Sequence, residues 1–275
     1  MPAELSPGLA AVLGALQGVT EFLPISSSGH LSLAQRWLGV DAASAGHRFN
    51  IVVHAGTLLA VLWVYRADVL ALLRAVAPGG DPQTRRLLLA LAIGTAPLAL
   101  ALVPAVEAGI VAIEQRPAAI GVSLLVTAGL LAFAHFADRR GAEGESDAAP
   151  EAPPRPLQAL AIGLLQLGAI IPGISRSGST IAGALALGIP RLAAARFSFL
   201  LSIPAILGAS LKEVVDIAQA PATSLDPLPL AIGFVTSLVV GLASLRLLVH
   251  LLVRVGLLPF VPYLVAVGLA ALVWG

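Results

Sequence analysis

The sequence predicts an all-α, polytopic membrane protein that has about six transmembrane helices, two re-entrant or broken helices and an inverted-topology repeat. Three observations support this fold class. The composition is very apolar, long apolar stretches alternate with charged or Pro- and Gly-rich segments, and the two halves of the chain contain similar short motifs in the same order.

The composition alone requires extensive contact with lipid. The chain has 275 residues, of which 58% are hydrophobic and 11% are charged, and its mean hydropathy is +0.94. A soluble domain carries about 25% charged residues, so this chain has too few polar groups to cover a water-facing surface. A net charge of +1 and 5% aromatic residues give no support for nucleic-acid binding. The absence of cysteine excludes disulfides, thiol catalysis and cysteine-bound metals.

Six apolar stretches are long enough to cross the hydrocarbon core, which takes about 20 apolar residues in a helix. We predict these spans at residues 49–65, 87–106, 117–136, 197–215, 228–250 and 257–274.

Two further apolar stretches are interrupted. Residues 8–25 run into the motif EFLPISSSGH, and residues 157–171 run into PGISRSGST. A short apolar piece follows each motif, at 31–40 and at 181–189. Irregular backbone at membrane depth is tolerated only where it is buried in protein or lines a cavity. We therefore predict two re-entrant or broken helices.

The chain divides near its middle. Residues 137–156, ADRRGAEGESDAAPEAPPRP, are rich in charge, Pro and Gly, and this composition is typical of a flexible surface linker. We interpret residues 1–275 as a single membrane domain, with a first repeat at 5–136 and a second repeat at 157–275.

Short matches relate the two repeats. A shift of 149 residues places GALQ at 14–17 on GLLQ at 163–166, and ISSSG at 25–29 on ISRSG at 174–178. Each repeat would contain three spans, an odd number, so the second repeat would enter the membrane upside down relative to the first. In such inverted repeats the broken helices meet near the midplane and form the site.

The distribution of arginine predicts the orientation. Loop 66–86 contains four Arg and the linker 137–156 contains three, whereas 107–116 contains one and 216–227 contains none. By the positive-inside rule, the first two segments are cytoplasmic and the other two lie outside.

The first broken helix carries a cluster of polar residues at membrane depth, where such residues are costly and indicate function. Its members are Gln17, Glu21, Ser26, Ser27, Ser28 and His30. Gln17 and Glu21 are four residues apart and share one helix face. The carboxylate of Glu21 is suited to a divalent metal. The serines offer a hydroxyl nucleophile, and His30 offers a titratable imidazole.

The second broken helix carries a matching cluster beside its break. Its members are Ser175, Arg176, Ser177, Ser179 and Thr180. Small flanking residues allow backbone N–H groups to approach a ligand, and the N-terminus of the following helix adds partial positive charge. One arginine among hydroxyls and free N–H groups is well suited to bind phosphate.

The motif EFLPISSSGH, with Gln17 before it, and the motif PGISRSGST resemble the two signature regions of the undecaprenyl-diphosphate phosphatase family, also called bacitracin-resistance proteins. The stretches FNIVVHAGTLLAVL, RLLLALAIGTAP and RFSFLLSIPAILGA are similar to this family as well. The resemblance covers essentially the whole chain except the linker 137–156, and its motifs are long and specific.

This resemblance implies an enzyme of the bacterial inner membrane that hydrolyses undecaprenyl diphosphate to the monophosphate and so recycles the lipid carrier for cell-wall synthesis. It implies a divalent cation, Mg²⁺ or Ca²⁺, as cofactor. It also implies a polyprenyl diphosphate lipid as substrate, a site open toward the periplasm and a homodimeric arrangement.

The resemblance also assigns roles to residues. The acidic motif of the family maps onto Gln17 and Glu21, and many members have Glu at the first position, so Gln17 weakens any scheme with two metal-binding carboxylates there. The family's Ser and His map onto Ser27 and His30, and its Arg maps onto Arg176. We expect Glu21, Ser27, His30 and Arg176 to be catalytic, with Glu21 as the metal ligand. Substrate contacts are expected from Gln17, Ser26, Ser28, Ser175, Ser177 and Thr180.

Several alternatives stay open at this point. As the attacking nucleophile we favour Ser27, assisted by His30, over a water molecule. The Ser-rich turn is equally suited to serve only as a nest of hydrogen-bond donors that binds an anion. Glu21 and Arg176 are also able to form a purely structural ion pair. His54 and Thr57, inside the first span, are interpreted as polar contacts more than as ligands. An inverted-repeat transporter or polyprenyl-phosphate flippase is the alternative function.

Overall fold

A computed structural model describes residues 5–40, 47–141, 152–219 and 226–274, and within these ranges every regular element is a helix. The helices are α1 (Pro7–Phe22), α2 (Ser27–Trp37), α3 (His47–Val64), α4 (Arg66–Ala75), α5 (Pro82–Thr95), α6 (Pro104–Glu114), α7 (Pro117–Gly141), α8 (Pro156–Gly168), α9 (Arg176–Ala186), α10 (Arg191–Gln219), α11 (Pro227–Val255) and α12 (Phe260–Trp274), with a 3₁₀ segment (Ala96–Leu102) after α5. The predicted all-α, polytopic fold class is confirmed.

Four helical stretches in the described ranges are long and apolar enough to cross a membrane. They are Pro82–Leu102, Pro117–Asp138, Arg191–Lys212 and Pro227–Val255. A fifth is formed only if Arg48–Val64 and Arg66–Ala75, which are bent by 78° relative to each other, count as one broken span. The last predicted span, 257–274, corresponds to α12, which has 15 residues. Each predicted span therefore falls mainly on helix, although 87–106 runs from α5 through the 3₁₀ segment into the start of α6, and 257–274 contains only the short helix α12.

Three segments predicted as loops are at least partly helical. Residues 66–75 of the loop 66–86 form α4, most of 107–116 lies on α6, and α7 continues through Gly141 into the predicted linker 137–156. Arginine decides which side of the membrane a segment occupies, but it is a good helix former and does not end a helix. In α7, Asp138 bonds Arg191 of α10 at 2.8 Å, and this bond holds the last turn. Residues 142–151 of the linker lie outside the described residues.

Both predicted helix breaks are present, at 23–26 between α1 and α2 and at 169–175 between α8 and α9. Each motif spans its break and the helix that follows: residues 23–26 and 172–175 lie in the breaks, whereas the remaining serines form the first turns of α2 and α9. The reason is capping: the Ser26 hydroxyl accepts from Gly29 N at 3.5 Å, and the Ser175 hydroxyl accepts from Gly178 N at 3.0 Å. A serine N-cap starts a helix at the next residue.

The two halves pack against each other through small residues. Helix α1 packs on α11, and α8 packs on α5, so each broken helix lies against a span of the other half. A Cβ added to Gly18 of α1 would lie 2.8 Å from Gly241 N of α11, and one added to Gly163 of α8 would lie 2.5 Å from Gly94 O of α5. Glycines at such positions let helix backbones approach closely. The upside-down insertion of the second half stays a prediction.

Candidate active site

The two helix breaks contact each other directly. Ser177, in the first turn of α9, donates its hydroxyl to Leu23 O in the first break at 3.3 Å. A Cβ added to Gly29 would lie 2.9 Å from the Cα of Gly173, a residue with a φ of 97°. Because glycine allows this close approach, the N-terminal ends of α2 and α9 come together, and their partial positive charges favour an anion between them.

Glu21, at the end of α1, connects the two breaks and is only 7% exposed. Its Oε1 accepts from Arg176 Nη2 at 2.5 Å. Its Oε2 accepts from Ser27 Oγ at 2.6 Å and from Gln17 Nε2 at 3.1 Å. The structure thus brings three predicted site residues, Gln17, Ser27 and Arg176, together around the carboxylate of a fourth, Glu21.

Arg176 uses one of its two terminal nitrogens in this ion pair. Its Nη1 is buried and has no hydrogen-bond partner among the described residues. A buried donor without an acceptor costs free energy, and the guanidinium fork matches the oxygens of a phosphate. A purely structural ion pair does not explain why Nη1 is buried without an acceptor. This geometry therefore favours an arginine that binds a ligand.

His30 lies in the same turn of α2 as Ser27 but is bonded elsewhere. Its Nδ1 is 2.7 Å from Ser26 O, and its Nε2 is 2.9 Å from the hydroxyl of Tyr263 in α12, on whose ring it stacks. No hydrogen bond joins His30 to Ser27 in the part of the chain that the structure describes. The imidazole therefore supports the first break and links it to α12.

The other predicted substrate-binding hydroxyls make local contacts. Ser26 and Ser175 cap their helices, and the Ser28 hydroxyl lies 3.5 Å from that of Ser26. Thr180 Oγ1 is 2.8 Å from Arg176 O and 2.6 Å from the Ser198 hydroxyl. These bonds hold the breaks in shape, and direct contact of these residues with substrate stays a prediction.

Two residues that we interpret from the sequence as polar contacts, His54 and Thr57, lie beside the Glu21 carboxylate. His54 Nε2 is 3.8 Å from Glu21 Oε2, and Thr57 Oγ1 is 3.5 Å from Gln17 Nε2. The signal for His54 was present, because an ionisable side chain inside a span indicates function as Glu21 does. Tyr263 was missed as well, and no motif connects it with the breaks.

The donor set is compatible with a divalent cation that arrives with a phosphate ligand. Among the described residues no group of three His, Cys, Asp or Glu side chains forms a complete metal cage. Mg²⁺ is commonly held by one or two carboxylates together with substrate phosphates and water. Glu21 supplies such a carboxylate, with His54 as a second donor nearby.

Comparisons with known proteins cover nearly the whole chain. The profile of the family described as "Bacitracin resistance protein BacA" matches residues 10–270, which include both helix breaks. The undecaprenyl-diphosphatase of Alcanivorax borkumensis is 41% identical over 265 residues, which are 96% of this chain and 97% of that protein. Those of Hahella chejuensis and Cereibacter sphaeroides are 40% and 38% identical, over 96% of this chain and at least 95% of their own lengths.

Proposed function

Because the chain belongs to the bacitracin resistance protein BacA family, we propose that it is an undecaprenyl-diphosphate phosphatase, which releases inorganic phosphate and recycles the lipid carrier for cell-wall synthesis. The observation that carries this proposal is the buried Glu21 carboxylate, held between Arg176 and the Ser27 hydroxyl where two helix breaks meet. The relatives named undecaprenyl-diphosphatase support the same activity, whereas they give no support to the alternative of a transporter or flippase.

Ser27 is the nucleophile in this proposal. Its hydroxyl is 2.6 Å from Glu21 Oε2, which accepts the proton as Oγ attacks the terminal phosphorus. The bond from that phosphorus to the bridging oxygen breaks, and its electron pair leaves with undecaprenyl phosphate. Water then displaces the serine oxygen from phosphorus, Glu21 returns the proton to Ser27, and dihydrogen phosphate leaves.

Arg176 and the two helix N-termini stabilise the charge of the reacting phosphate. The free Nη1 of Arg176 is available to a phosphate oxygen, while Nη2 keeps Glu21 in place. Preorganised donors of this kind supply most of the catalysis in phosphoryl transfer. A divalent cation, Mg²⁺ or Ca²⁺ in the sequence-based expectation, would be held by Glu21 and would neutralise diphosphate charge.

His30 serves as a positioning residue in this scheme. Both of its ring nitrogens are engaged, with Ser26 O and with Tyr263, so we assign the proton of Ser27 to Glu21 instead. The histidine fixes the backbone that starts α2 and thereby the direction of the Ser27 hydroxyl.

The location of the site belongs to the same proposal. The chain is a multi-span membrane protein, and we place it in the bacterial inner membrane with the site open toward the periplasm. The distribution of arginine between loops supports this orientation. A homodimer is implied by the family resemblance, and the mass of the purified protein in lipid nanodiscs tests it.

Phosphate release from undecaprenyl diphosphate by the purified protein tests the function. Ser27→Ala should lower the rate by about 100-fold or more, the scale for removing a group that takes part in the chemical step. Ser32→Ala is the matched control, because Ser32 lies on the same helix but bonds Glu114 at the surface, 3.1 Å away. No release by the wild-type protein would refute the function, and full activity of Ser27→Ala would assign the attack to water.

A further inference from the structure

His54 is oriented as a metal-binding histidine is. Its Nδ1 lies 2.7 Å from Asn50 O, one turn earlier in α3. A carbonyl oxygen only accepts, so Nδ1 carries the proton and the lone pair of the neutral ring is on Nε2. Metal-bound histidines usually donate their other N–H in this way to a backbone carbonyl or carboxylate, which fixes the ring.

The lone pair on Nε2 faces the Glu21 carboxylate. The distance from Nε2 to Glu21 Oε2 is 3.8 Å, which is too long for a hydrogen bond. Two ligand atoms around one small cation, at bond lengths of about 2.1 Å, lie about 3 to 4.2 Å apart. The pair is therefore spaced as two ligands of one ion, and the His54 side chain, 27% exposed, is accessible to it.

Gln17 supplies a third donor at the same place. Its side chain is fully buried, its Oε1 has no hydrogen-bond partner among the described residues, and its Nε2 is 3.1 Å from Glu21 Oε2. The oxygen and nitrogen of an amide exchange places on a half-turn. A cation at Oε2 would repel the N–H group and attract the amide oxygen, which would then no longer lack a partner.

We propose that Glu21 Oε2, His54 Nε2 and Gln17 Oε1 together bind one divalent cation, with diphosphate oxygens completing its coordination. On Oε2 the cation takes the position that the Gln17 N–H group occupies, and the other lone pair still accepts from Ser27. This assignment deepens the proposed function and rests on it for the identity of the phosphate ligand. An imidazole ligand favours first-row transition ions over purely oxygen-seeking ions. The two oxygen donors suit Mn²⁺ as they suit Mg²⁺, so Mn²⁺ serves as the probe of this site.

The test uses the purified full-length protein with Mn²⁺ and inorganic diphosphate, studied by electron paramagnetic resonance. Pulsed measurements detect a ¹⁴N coupling when an imidazole nitrogen binds Mn²⁺. We expect this coupling in the wild-type protein and in His250→Ala, a control for an exposed histidine on α11. It should be lost in His54→Ala and in His54→Gln, with Mn²⁺ affinity lowered about ten-fold or more. Gln17→Ala should weaken Mn²⁺ binding and keep the coupling.

His54→Gln keeps the size of the side chain and remains informative where His54→Ala fails to fold. A ¹⁴N coupling that persists in a folded His54 variant overturns the assignment, as does a wild-type protein that binds Mn²⁺ without coupling or does not bind it. Phosphate release is measured on the same preparations. Release without nitrogen coupling refutes the metal site alone, whereas coupling at His54 without release refutes the phosphatase and keeps the metal site.

Discussion

The two terminal nitrogens of Arg176 have different surroundings, and this difference leads to a prediction. Arg176→Lys keeps a positive charge near Glu21 but removes the free Nη1. We expect kcat to fall by about 100-fold, with little change in the thermal unfolding midpoint. Arg176→Ala should in addition destabilise the protein by about 3–5 kcal/mol, because it leaves a buried carboxylate unpaired.

Steady-state kinetics and thermal unfolding in detergent measure both effects. Arg191→Lys is the control, since Arg191 also forms an ion pair, with Asp138, but away from the helix breaks. If Arg176→Lys kept the wild-type kcat, the guanidinium fork would have no role beyond its charge.

Ser26 has an unusual backbone. Its φ is 74°, and it is the one residue other than glycine with a positive φ among the described residues. Such a conformation costs about 1–3 kcal/mol for a residue with a side chain, and most for a β-branched one. Ser26→Gly should therefore unfold at the same temperature as the wild type or higher, since Gly is nearly as good an N-cap. Ser26→Val should unfold at a lower temperature, and the reverse order would contradict this account.

Helices α1 and α11 pack so closely that one added methyl group between them should lower the stability of the protein. A Cβ on Gly18 would lie 2.8 Å from Gly241 N and 2.9 Å from Ser237 O, both backbone atoms that have no room to move. Gly18→Ala should destabilise the protein by about 1–3 kcal/mol, the usual cost of overpacking. Gly8→Ala, at an open position of the same helix, should be neutral or slightly stabilising.

Chemical or thermal unfolding of the two alanine variants measures the difference in stability between Gly18→Ala and Gly8→Ala. Equal stability of the two variants would show that the backbones of α1 and α11 separate at little cost. Activity adds a second measurement, because α1 carries Gln17 and Glu21, and a shift of this helix should also lower phosphate release.

Elements that follow from composition were predictable from the sequence, and elements that follow from local bonding were not. Pro24 and Pro172 mark both breaks, because each lies in an apolar stretch that a continuous helix would otherwise fill. The start of α2 at Ser27 was not predictable from charge or hydropathy, since it depends on the Ser26 cap. Helix α6 lies where the charged residues of 107–116 predict a loop, because Glu and Arg are good helix formers and do not end a helix.

Part of the site was also predictable from the sequence, namely the polar residues that lie beside the helix breaks. Glu21, Ser27 and Arg176 stand out as polar residues beside helix breaks, and the structure brings them together. The contact of His54 with Glu21 depends on how α3 packs beside α1, and the contact of His30 with Tyr263 joins the two ends of the chain. Single-sequence patterns indicate which residues are costly in a membrane, but they do not indicate which of them become neighbours.

At the scale of the whole molecule, the orientation in the membrane is directly testable. The chain has no cysteine, so a single introduced thiol is the only one present. Gln115→Cys, after α6, should react with a membrane-impermeant thiol reagent in intact cells, and Ala77→Cys, after α4, only after the cells are opened; both positions are exposed. The opposite pattern would invert the topology and place the site toward the cytoplasm.

The ion pair between Glu21 and Arg176 joins the first half of the chain to the second, and this has a consequence for biogenesis. Before the halves meet, each carries one uncompensated charge in hydrocarbon, at about 3 kcal/mol per charge. Docking of the halves gives both charges a partner in a single contact of 2.5 Å, which offsets part of these costs. The pair therefore favours docking of the two halves during insertion, because each charge finds its partner only in the other half of the chain.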